Sequence, residues 1–104
     1  MKNTIAKTEI KMISPSGVKK ALFIEIGQPY QFSPDEAACP IAIVGLYPSI
    51  SDIHGVDTFQ ALALALEFAK TIIQELEGKG YTFEFNQGGS LCSEIWFQQI
   101  KDDA

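Results

Sequence analysis

Two thiols, one imidazole and a scatter of carboxylates are the groups in this sequence able to do covalent chemistry. Cys39 and Cys92 are its cysteines and His54 its one histidine, among 104 residues. A nucleophile needs a base within hydrogen-bond reach and a third group to orient that base. Cys39 or Cys92 with His54, oriented by Asp52 or Asp57, is the constellation that can be drawn. Neither cysteine lies in a nucleophile elbow or at the start of an expected helix, where a thiol would be held as thiolate, and both read better as inert packed side chains. His54, between Ile53 and Gly55 ahead of a helix, reads as a turn residue. One histidine cannot build a multi-histidine zinc site, and two cysteines cannot build a four-cysteine one, so no metal is expected. The sequence has no Gly-x-Gly-x-x-Gly, Walker A or Gly-x-Ser-x-Gly pattern, and Gly88-Gly89-Ser90 alone is too little for a phosphate loop. Neither a cofactor nor an enzymatic activity is expected.

The remaining chemical signal is acidity. Thirteen Asp plus Glu stand against eight Lys and no Arg, a net charge of −5 in a chain that is 46% hydrophobic. That is too apolar for intrinsic disorder. The sign is wrong for phosphate, and the residue that reads guanine in bidentate fashion is missing, so nucleic acid is not an expected partner. The first residues hold no apolar run of signal-peptide length, and the longest nearly uncharged apolar stretch, Phe59 to Leu66, is far too short to span a bilayer. The expectation is a cytoplasmic protein with no membrane partner and with reduced thiols.

With catalysis unsupported, binding is the expected role. The acids best placed to meet a partner lie in loops and the tail: Asp35, Glu36, Asp52, Glu94, Asp102 and Asp103, with Trp96 as an aromatic anchor. Such a chain could mask a basic protein by electrostatic steering, as immunity proteins neutralise toxic nucleases. The alternative is a self-associating structural or regulatory module, a homodimer.

The elements that position these residues are read from periodicity. Thr4 to Ile13 and Val18 to Ile26 read as two strands joined by the Ser14-Pro-Ser-Gly17 turn. Residues 30 to 38 suggest a short extended piece followed by a polar loop. Cys39 to Leu46 reads as one β-branched strand, and Ile50 to His54 as a further short one. Asp57 and Gln60 match a capping box, opening a helix that runs to about residue 77, with Gly78 and Gly80 as C-cap candidates. Its expected core stripe is Phe59, Leu62, Leu66, Ala69, Ile73 and Leu76. A second stripe, Ala61, Leu64, Ala65, Phe68 and Ile72, widens the apolar arc to roughly 220–260° at 100° per residue. A second covering surface is therefore expected, either the tail through Trp96 and Phe97 or a dimer partner through Leu64, Phe68 and Ile72. Tyr81 to Phe85 alternates as a half-buried strand, and the tail from Ser90 is read as a short helix. Ile24, Ile26, Ile41, Ile43 and Phe83 complete the expected core. The fold class is α+β: an antiparallel meander of four to five strands with one long helix on a face, in a single domain.

Gly27-Gln-Pro29, Cys39-Pro-Ile, Gly45-Leu46 and above all Gly55-Val-Asp-Thr-Phe-Gln-Ala-Leu-Ala-Leu-Ala-Leu66 resemble a family of small bacterial proteins classed only as a domain of unknown function. That family is marked by a Gly-Val-Asp-x-x-Gln-Ala-Leu-x-Leu-Ala-Leu helix start. The resemblance spans residues 18 to 90, names no activity, and does not extend to the segment from Glu94 to Ala104.

Overall fold

The computed structural model describes residues 3–86 and 88–97. It is an α+β fold with two antiparallel sheets and one long helix. Strands β1 (Thr4–Ile13) and β2 (Lys19–Gly27) form a hairpin. Its turn is closed by Gly17 N–H donating to Ser14 O at 2.9 Å, with the Ser14 hydroxyl accepting from Val18 N–H at 3.0 Å. Gly17 has φ +92°, a left-handed conformation that a Cβ disfavours.

The short extended piece expected from residue 30 is β3 (Tyr30–Ser33), but the polar loop expected after it shrinks to the Pro34–Asp35 turn, because the chain returns as β4 (Glu36–Cys39) and closes a second hairpin. The expected single strand from Cys39 to Leu46 is cut in two. Pro40 has no N–H to give a ladder. The chain therefore leaves the small sheet at Cys39 and enters the large one as β5 (Ile41–Val44), paired with β2. Strand β6 (Ile53–Gly55) returns to pair with β4. After helix α1 (Thr58–Gly78), strand β7 (Thr82–Phe85) pairs with β1, β8 (Ser90–Leu91) pairs with β7, and a four-residue α2 (Ser93–Trp96) follows. The sheet orders are β5-β2-β1-β7-β8 and β3-β4-β6, so the strands do not form one simple meander.

Helix α1 starts as its sequence specifies. Asp57 is extended, and its carboxylate accepts from Gln60 N–H at 2.8 Å. The Gln60 side chain reaches back one residue further than in the usual box and accepts from Val56 N–H at 2.7 Å. The end is a Schellman motif on Gly80, at φ +93°: Gly80 N–H donates to Glu77 O and Tyr81 N–H to Leu76 O, both at 3.0 Å.

The buried face of α1 differs from the expected stripe. Ala61, Ala65, Ala69, Ile72 and Ile73 are buried, Leu62, Phe68 and Leu76 are half-buried, and Phe59 and Leu66 are exposed. The first half of the helix lies so close to β6 that only small residues fit. A Cβ built on Gly55 would stand 2.6 Å from Ala61 N, so the helix presents alanines there and its larger residues lie to the side. Ile24, Ile26, Ile41, Ile43 and Phe83 are buried as expected. Trp96 and Phe97 are half-buried against the core, which gives α1 a neighbour in α2. Leu64 is 40% exposed and Ile72 buried, so the face expected for a dimer partner is divided between surface and core. Among the described residues no helix is long and apolar enough to cross a membrane.

Candidate functional site

The small sheet has two unlike faces, because neighbours on a strand point to opposite sides. Ala37 and Cys39 of β4 are buried in the core cluster, and Gly55 lies against the first turn of α1. On the outer face, the register sets Tyr30 and His54 on either side of Ala38 in one cross-strand row. Ala38 is fully covered, whereas Tyr30 is 42% and Phe32 58% exposed.

Polar contacts tie this outer face together. The Tyr30 hydroxyl donates to the Asp52 carboxylate at 2.6 Å. His54 Nδ1 contacts Glu36 Oε2, and the Phe32 and His54 rings make a T-shaped contact with centroids 4.9 Å apart. The hydrogen bond to Asp52, then burial and the charge of Asp52, raise the Tyr30 phenol above its ordinary value of 10.0. A hollow of about 420 Å³, lined by Asn3, Gln28, Pro29 and Pro40, opens beside Tyr30.

Of the acids expected to meet a partner, Glu36 and Asp52 are brought onto this face, and Asp35 is exposed in the β3–β4 turn. Trp96 belongs elsewhere. Its ring is edge-on to Phe85 at 6.1 Å and to Phe97 at 5.0 Å, half-buried in the large-sheet core, so it is not part of the acidic face. The Glu94 side chain, Asp102 and Asp103 lie outside the described residues. Tyr30 and Phe32 carry no motif in the sequence, and His54 enters it as a base for a cysteine or as a turn residue, not as part of an aromatic and acidic face. A usable signal was present in the charges: from Ala21 to Ala69 the chain has Glu25, Asp35, Glu36, Asp52, Asp57 and Glu67 but no Lys or Arg. The small sheet falls wholly inside that stretch.

The cysteine triad does not assemble. Cys39 is buried, pairs in register with Ile53, and its thiol donates to Gly27 O at 3.5 Å. His54, one residue further along β6, faces the opposite side of the sheet. Burial first, and then the charge of Asp52, push the Cys39 thiol above its ordinary value of 9.0, away from the thiolate that a nucleophile needs. Cys92 is exposed rather than packed, and both thiols are free. No group of three or more His, Cys, Asp or Glu among the described residues is arranged to hold a metal ion. On the outer face the carboxylates can pair with cationic side chains, and the aromatic rings can pack on the stems and charges of such side chains.

Compared with known protein families, curated proteins and solved structures, the chain matches none of them.

Proposed function

We propose that this protein is a non-enzymatic inhibitor of the immunity type, which masks a basic protein with the outer face of its small sheet. The observation that carries the reading is the conjunction, on one exposed face, of Tyr30, Phe32 and His54 with the carboxylates of Glu36 and Asp52, inside a stretch without Lys or Arg. Aromatic side chains supply contact area at small entropic cost, and carboxylates in a stretch without Lys or Arg select cations and speed encounter. A cationic cleft built to hold nucleic acid is the kind of surface such a face would cover. The family suggested by the Gly55 to Leu66 pattern adds no activity to this reading.

The test compares the wild-type chain, immobilised, with an Asp35→Lys/Glu36→Lys/Asp52→Lys variant as bait for proteins in a bacterial lysate. The expected result is a basic protein retained by the wild type, released by salt, and lost by the variant. Equal retention by both baits, or a retained partner that is acidic, overturns the reading. All three substitutions sit at exposed or half-buried positions, and a circular dichroism melt checks that the variant still folds.

A further inference from the structure

Strand β1 has more backbone than its neighbours cover. β2 pairs with it along its length, but β7 takes the other side only from Ile10 to Ile13. Among the described residues, Thr4–Glu9 therefore keeps one open edge, a row of N–H and C=O groups ready for an extended chain.

Beside this edge lies a groove of about 220 Å³ with an apolar lining. Ala6 and Thr8 of β1, Leu66 and Ala69 of α1, and Trp96 and Phe97 all border it. The register sets Ala6 opposite Ile26 and Thr8 opposite Ile24, both buried, so Ala6 and Thr8 look toward the helix; a bulge shifts the register between Thr4 and Ala6. Lys7 and Glu9 alternate with them on the other face and are exposed. Consistently, Lys7 Nζ stands over the Phe23 ring, 5.7 Å from its centroid.

We propose that Thr4–Glu9 accepts an added antiparallel strand from a partner protein: an extended segment with apolar residues at alternate positions, an acidic residue opposite Lys7 and a basic residue opposite Glu9. Three features select this occupant over a compact ligand. The open main-chain edge asks for another main chain, in the direction β2 and β7 already take. The groove between β1 and α1 takes every second side chain and gives Leu66, 43% exposed on α1, an apolar neighbour. The opposite charges of Lys7 and Glu9 on the outer face fix the complementary pattern. The site shares no residue with the acidic face, which is built on β3, β4 and β6 of the small sheet, whereas β1 belongs to the large one.

The experiment uses the full chain and a blocked synthetic peptide, Lys-Val-Glu-Leu-Thr-Val, whose third residue falls opposite Lys7 when its first falls opposite Glu9. Trp96 is the one tryptophan and borders the groove, so its emission reports occupancy, and amide exchange locates the contact. The expected result is a saturable change in emission with slowed exchange confined to Thr4–Glu9. A charge-swapped peptide, Glu-Val-Lys-Leu-Thr-Val, should bind about tenfold more weakly, and the exposed substitution Lys7→Glu should narrow that gap. Equal binding of a peptide with proline in place of its two valines, or no response from Trp96, overturns the proposal. So does a free chain whose Thr4–Glu9 amides already exchange as slowly as those of Ile10–Ile13, because that edge would then be paired by the chain itself.

Discussion

Asp52 touches the titration of two side chains on opposite faces of the small sheet. It accepts a hydrogen bond from the Tyr30 hydroxyl, which keeps its proton, and its charge adds to the burial that holds the Cys39 thiol neutral. Both pKa values are raised in the native state, so both groups stabilise the fold in their neutral forms. That contribution is whole below their ordinary values of 10.0 and 9.0 and is lost as pH climbs through the raised ones. Denaturation midpoints measured from about pH 8 upward should therefore fall on the alkaline side. Tyr30→Phe and Cys39→Ala should each flatten part of that fall, and an alkaline limb identical in wild type and both variants would refute the assignment. At this scale some chemistry was legible in the sequence and some was not. The Asp57–Gln60 cap is a local pattern and was read from spacing alone. The pairing of Tyr30 with Asp52 spans 22 positions and depends on β4 lying between β3 and β6, which no local pattern records.

Helix α1 shows why an element can be located correctly and oriented wrongly. Its limits follow from the Asp57 cap and the Gly80 turn, both encoded nearby. Its rotation is set by what it lies against, and the Gly55 contact demands small residues where hydrophobicity alone favours Phe59 and Leu66. The consequence is measurable in stability. Ile73 is fully buried, so Ile73→Ala should cost about 2–5 kcal/mol by opening a cavity. Leu66→Ala, at a position 43% exposed, should cost about 1 kcal/mol or less. Chemical denaturation of the two variants decides it, and a larger loss at Leu66 than at Ile73 would reverse the helix face. The strands repeat the lesson. The β1–β2 hairpin was readable because alternation and the Ser14–Gly17 turn agree. Residues 36 to 44 hide their break because two short strands on either side of Pro40 carry one continuous apolar run, and the proline outweighs the hydropathy.

At the scale of the molecule, every lysine that lies in a described strand belongs to the large sheet, which also carries Glu9, Glu25 and Glu84. The large sheet carries Lys7, Lys11, Lys19 and Lys20 on β1 and β2, and Lys19 Nζ meets Glu84 Oε1 of β7 at 3.6 Å. The small sheet lies in the stretch with neither Lys nor Arg. Net charge alone gave the acidic character, but only the position of the small sheet within the Lys-free stretch turns that character into a face. A partner drawn to this face would feel it before contact, over about 10 Å at 0.1 M salt and about 3 Å at 1 M. Its association rate with the wild-type chain, followed by surface plasmon resonance, should therefore fall as salt rises between those limits. The Asp35→Lys/Glu36→Lys/Asp52→Lys variant should associate more slowly at low salt and approach the wild type at high salt, because charge reversal at exposed positions acts chiefly on encounter. Reversing Glu75, an exposed acid on α1 outside that stretch, should change the rate far less. If the Glu75 variant slowed association as much as the triple variant, net charge rather than this face would govern encounter, and the acidic face would lose its claim to specificity.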